Sequence, residues 1–197
     1  MRHALFARHV TAVTVSIVAC SPRANTTTET VAGYPPDNSS LREAVVPTAS
    51  MSMARMAHTA TTLPDGRVLV AGGFTSERYA SQSAELFNPL TERFTPLPRM
   101  RAVRHSHTAT LLPNGKVLIV GGFVEGNATA ASAELFDPVT QTFAPAGEMR
   151  AARSGHVAVL LGNGKVLTVR RLGPDRTCPA RAQMYDPATG TFSTTGS

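Results

Sequence analysis

The chain has 197 residues, 42% of them hydrophobic, with no tryptophan, 6% aromatic residues and a formal charge of +6. That apolar content suffices for one domain of moderate size, with branched aliphatics and alanine filling the core. The basic balance does not point to nucleic acid: Arg2 and Arg8 sit in a leader whose loss leaves +4, and Arg170, Arg171, Arg176 and Arg181 crowd into one local patch.

Arg2, His3, Arg8 and His9 make a short basic start, and residues 10–19 (VTAVTVSIVA) follow as an uncharged run. The run is too short to span a bilayer, which takes about 20 apolar residues. It has the shape of a secretory signal core. It ends in Ile17-Val18-Ala19-Cys20, which resembles the lipobox of bacterial lipoproteins. The resemblance implies a signal peptide at residues 1–19, with Cys20 acylated as the first mature residue and the membrane reached through that lipid anchor. Ser21 in place of Asp after the cysteine implies the outer membrane or cell surface of the cell envelope. The alternative is an ordinary signal peptide, or an uncleaved membrane-proximal stretch, with an incidental Cys20. Residues 20–42 are rich in Thr, Ser, Asn and Pro without apolar period, and read as a flexible tether. The two cysteines, Cys20 and Cys178, form neither a disulfide framework nor a metal site.

From Met51 onward one pattern occurs three times. His58, His107 and His156 are spaced by 49 residues, as are Met51, Met100 and Met149, and Arg55, Arg104 and Arg153. Gly66, Gly115 and Gly164 share the step, as do Pro89, Pro138 and Pro187, and Phe94, Phe143 and Phe192. A period of this length marks a repeat architecture, in which each unit buries its apolar face on its neighbour. The units fall at residues 51–99, 100–148 and 149–197, preceded at 43–50 by an orphan outer strand. Val45-Val46-Pro47 lies 49 residues before Phe94-Thr95-Pro96.

In the middle unit, residues 107–112 predict a strand. Asn114-Gly115 predicts a two-residue hairpin turn with both residues at positive φ. Residues 116–120 predict a second strand, buried on both faces by its VLIV run. Gly121-Gly122 ends it, a loop at 123–131 follows, and strands at 132–136 and 141–145 flank a turn at Asp137-Pro138. Each unit is thus expected to be a four-stranded antiparallel meander.

Paired glycines after an aliphatic strand, the triplets Glu85-Leu86-Phe87 and Glu134-Leu135-Phe136, and then Asp137-Pro138-Val139-Thr140 and Asp186-Pro187-Ala188-Thr189 resemble the kelch repeat. The resemblance implies an all-β fold of kelch-type β-propeller blades, here three four-stranded antiparallel sheets in an incomplete propeller. Propellers usually have four to eight blades. Three readings follow: a truncated, non-functional remnant of a longer propeller, self-assembly to complete a ring, or an open arc. The third unit is degenerate. Arg170-Arg171 replaces its double glycine, which predicts a strained or frayed second strand.

Arg55, Arg104 and Arg153 precede His58, His107 and His156 by three residues, at the start of the first strand, which in kelch propellers lies nearest the channel. One reading is an anion-binding ring at the channel mouth, tuned by the histidines. The other is structural, with Arg and His bonding neighbouring blade backbones, and their presence in every repeat favours it. His105, present in one unit, is expected to be exposed. No nucleophile motif, phosphate loop, acid–base pair or metal motif stands out, so no catalysis and no cofactor are expected. The resemblance implies a binding or scaffold module whose loops, residues 74–83 and 123–131, meet a protein or glycan of the envelope. A carbohydrate-active enzyme or oxidase fragment is a further alternative, although nothing matches the ligand sets of kelch-fold oxidases.

Overall fold

The computed structural model describes residues 48–75, 77, 79–169 and 182–195. The expected signal peptide, Cys20, the tether, most of the expected strand at 43–50, and residues 170–181 with Cys178 lie outside the described residues. Within 48–50 no strand forms.

Three four-stranded antiparallel sheets follow one another in chain order. The first holds β1 (Thr59–Thr62), β2 (Val68–Ala71), β3 (Ala84–Asn88) and β4 (Arg93–Pro96). The second holds β5 (Thr108–Leu111), β6 (Val117–Val120), β7 (Ser132–Asp137) and β8 (Thr142–Glu148). The third holds β9 (Val157–Leu160), β10 (Val166–Val169), β11 (Gln183–Asp186) and β12 (Thr191–Thr194). The register repeats with the sequence period: Val68 faces Phe87, Val117 faces Phe136 and Val166 faces Tyr185. The expected all-β, blade-like architecture is what forms. The second strand of the third unit also forms as far as Val169, and Arg170-Arg171 lies beyond it, outside the described residues.

Two apolar layers hold the sheets together. Leu69, Ala71 and Leu86 of the first sheet pack on Val117, Ile119 and Phe136 of the second. Leu118, Val120 and Ala133 of the second pack on Val166 and Tyr185 of the third. The alternation of side chains along a strand explains this: β6 is buried at every position because odd and even residues serve different layers. Burying a side chain such as Leu, Val or Phe contributes about 1.5–3 kcal/mol, so the sheets depend on one another for their cores.

Two local expectations are corrected. Positive φ at the first hairpin occurs at Gly66, Gly115 and Gly164, and not at the preceding Asp65, Asn114 or Asn163. Leu112 O accepts from Gly115 N (2.9 Å), and Leu112 N donates to Lys116 O (2.8 Å). This is a type I turn closed by a left-handed glycine, with Pro113 at the position where its fixed φ fits. The fourth strand of the middle unit also runs past Pro145 to Glu148, through a register shift between Ser132 and Glu134. Gly147, at φ 78°, permits that bulge. The first unit has Pro98 at the same place, which lacks an N–H, and there β4 stops at Pro96.

Candidate functional site

An antiparallel meander sends the start of its first strand, the end of its second and the start of its third to one edge of the sheet. The repeated Arg, His and paired Gly positions therefore converge there, together with the loops between second and third strands.

The arginines turn into their own unit. Arg104 Nη1 donates to Gly121 O (2.8 Å) and Ser132 O (3.2 Å), at the ends of β6 and β7. Its Nη2 meets Glu134 Oε1 at 2.7 Å, with side-chain exposures of 0% and 3%. Glu134 also accepts from Arg101 N (2.7 Å) and Ala102 N (3.2 Å). The first unit repeats the clamp: Arg55 donates to Gly72 O, Ser83 O and Glu85, and Glu85 accepts from Ser52 N. In the third unit Gln183 stands where the glutamates were and accepts from Arg150 N (2.9 Å), while Arg153 donates to Thr168 O (3.3 Å). These guanidiniums pin the second and third strands and tie down the lead-in segment. An anion-binding ring would need exposed guanidinium groups, and Arg55 and Arg104 have none. The expectation that the arginine side chains reach neighbouring blades is likewise corrected, since they bond within their own unit. The glutamate partners escaped the sequence reading. Their signal was present, because Glu85 and Glu134 keep the 49-residue step and each lies 30 residues after its arginine.

The histidines, by contrast, cross between units. His107 Nε2 bonds Thr59 Oγ1, and His156 Nε2 bonds Thr108 Oγ1, each at 2.9 Å. The partner is a side-chain hydroxyl rather than the expected backbone. Backbone bonds reinforce the seam: Gly73 N donates to Arg104 O and Gly122 N to Arg153 O, both at 2.9 Å. Ser106 N reaches Ala57 O, and Gly155 N reaches Ser106 O. His58 is half-buried.

Burial, followed by the Arg104 charge, holds the His107 imidazole down at about 3, and burial with Arg153 holds His156 at about 4. His58 is lowered for the same reasons. All three are neutral at pH 7, which leaves nothing to tune an anion site. The sign for stability follows. A histidine held below its ordinary 6.5 contributes fully above that pH, and its contribution drains away as pH falls toward the folded value. Between pH 7 and 5, above the carboxylate range, His107 alone should remove about 2 kcal/mol of stability. Urea unfolding at the two pH values checks this, and His107→Gln should flatten the profile by that amount.

His105 is also corrected. It is half-buried, with its ring edge-on to Phe74 (centroids 5.0 Å apart) and stacked on Phe123 (5.1 Å). Phe74 and Phe123 each begin a loop between second and third strands and are held by isolated bridges to Met56 and His105. The result is a row of three rings along the loop edge, flanked by Met56 (55% exposed) and Tyr79 (70% exposed). Ser76 and Arg78 of the first loop lie outside the described residues.

The opposite edge carries the turns. Lys116 pairs with Asp137 (3.0 Å) and Lys165 with Asp186 (2.8 Å), while Asp65 pairs with Arg67 (2.7 Å). These lysines and arginine hold the three carboxyls below the usual range. Among the described residues, no group of three or more His, Cys, Asp or Glu side chains could hold a metal ion.

No curated protein matches the chain. Residues 55–101 and 104–150 each match the family model for the Kelch motif. The chain therefore carries two Kelch motif repeats on blade-like four-stranded sheets, with a third sheet of the same topology, and repeats of this kind suggest a protein-interaction or scaffold module.

Proposed function

We propose that the chain is a binding or scaffold module of a bacterial cell envelope, tethered through acyl groups on Cys20, which contacts a protein or glycan partner along its loop edge. The observation that carries the binding reading is the aromatic row Phe74–His105–Phe123 with exposed Tyr79 and Met56 beside it. Half-buried rings held by a rigid scaffold beside the exposed Tyr79 are suited to contact, because aromatic side chains offer large area and lose little side-chain entropy on binding. Such an edge serves a polypeptide or a sugar equally. The commitments of the carboxylates also favour binding over catalysis. Glu85 and Glu134 are locked in the arginine clamps, and Asp65, Asp137 and Asp186 hold turns. The envelope address rests on the lipobox-like segment ending at Cys20.

One preparation tests both halves. Wild-type protein should fractionate with membranes and retain a reproducible partner from envelope extracts. Cys20→Ser should move it to the soluble fraction, and unchanged fractionation would remove the anchor. Met56→Ala/Tyr79→Ala should weaken partner capture at least about tenfold while leaving the fold intact. Equal capture by that variant would remove the loop edge as the binding surface.

A further inference from the structure

We infer that the second unit carries a pocket for a methionine side chain of a partner polypeptide, in a groove between its lead-in segment and the ends of β7 and β8. The first unit fills the same space with a methionine of its own.

The groove has a volume of about 410 Å³. Clefts that take small ligands span about 300–1,000 Å³. Ala102 of the lead-in flanks it on one side, and Pro145 and Gly147 of β8 on the other. Ser132 and the Arg104–Glu134 pair complete the lining, and the side chains of that pair are 0% and 3% exposed. Their charges neutralise each other, so the groove presents no free ion that an apolar side chain would have to desolvate.

What fits there is visible one period earlier. Ala102 corresponds to Met53, and Ser132 to Ser83. Met53 reaches across to that serine: Ser83 Oγ donates to Met53 Sδ at 3.4 Å, and Ser81 Oγ donates to the same sulfur at 3.9 Å. A thioether accepts such bonds weakly, and its unbranched stem fills irregular gaps. In the second unit alanine replaces both Met53 and Ser81, as Ala102 and Ala130. The side chain that crosses the space is gone, with one of its two hydroxyls. The other hydroxyl is kept. Ser132 Oγ accepts from Arg104 Nη2 (3.2 Å), which directs its own hydrogen away from the guanidinium, where it can meet a sulfur as Ser83 does. The second unit also has the longer wall, since β8 runs to Glu148 where β4 stops at Pro96. A seat with the hydroxyl in place and the thioether missing is matched by a methionine presented on another chain.

The probe is N-acetyl-methionine methylamide, titrated into the full chain carrying Cys20→Ser, which keeps it off the membrane, and followed by amide NMR shifts. Saturable shifts are expected at Ala102, Ser132 and Gly147 at millimolar probe. N-acetyl-alanine methylamide should bind at least about tenfold more weakly, because it lacks the side chain to bury. Ala102→Met fills the groove from within, as Met53 does, and should abolish the response, with circular dichroism confirming that the variant is folded. Met53→Ala should open the first unit and add a second set of shifts at Ser83. No saturable response in the parent chain overturns the inference, as does an equal response to the alanine probe. A response that survives in folded Ala102→Met overturns it too, and so does a Met53→Ala chain that gains no shifts at Ser83.

Discussion

Glu134→Ala is expected to destabilise the protein by about 3–5 kcal/mol, the range for removing one partner of a buried ion pair. The Arg104 guanidinium beside it has no exposed surface, and the carboxylate also accepts from Arg101 N and Ala102 N. Truncation leaves a buried cation and two backbone donors without that acceptor. In a stack of this size each kcal/mol moves the melting temperature by about 2–4 °C, so a drop of roughly 10 °C should be visible in a thermal scan. Glu134→Gln reproduces what the third unit already has at Gln183, whose Oε1 holds Arg150 N at 2.9 Å. It should therefore lose less, since one of the lead-in bonds survives. A loss below about 1 kcal/mol for Glu134→Ala would mean that the clamp does not hold the second and third strands together.

Gly121→Ala should cost about 3 kcal/mol or more, combining a left-handed backbone penalty with overpacking. Gly121 has φ 62°, and its added Cβ would lie 2.5 Å from Arg153 O and 3.1 Å from Met149 Cε. The Arg153 carbonyl cannot retreat without breaking its bond from Gly122 N at 2.9 Å. Gly115→Ala is the control. It has φ 81°, but the nearest atom to an added Cβ is Pro64 Cγ at 3.7 Å. Only the conformational term of about 1–2 kcal/mol applies there. Denaturant midpoints that rank the two substitutions equally would show that the close approach at Gly121 carries no weight.

The repeat made most of the fold legible. A constant 49-residue step places turns, aliphatic strands and paired glycines in one register, and each has a local physical cause. What the step could not show was where long side chains go. Arg104 reaches a glutamate 30 residues on, and no local pattern distinguishes that from a residue facing a channel. The uniqueness of His105 points to an exposed residue, yet Phe74 and Phe123 from adjacent units close on it. The first hairpin differs from the sequence expectation for a local reason. Asn-Gly suits two turn types, and the three-residue loop closed between Leu112 and Lys116, repeated between Leu161 and Lys165 where Gly162 replaces the proline, is the one in which only the glycine takes positive φ.

The central claim is that adjacent sheets are sealed at the lead-in edge by bonds from one unit to the next. Amide hydrogen exchange at Gly73 and Gly122 reads it most directly, since both N–H groups donate across a seam, to Arg104 O and Arg153 O. The account predicts that these two amides exchange only when the stack opens as a whole, with an opening free energy close to that of global unfolding. Exchange at the rate of an unstructured peptide, in a protein whose β6 amides stay protected, would contradict it.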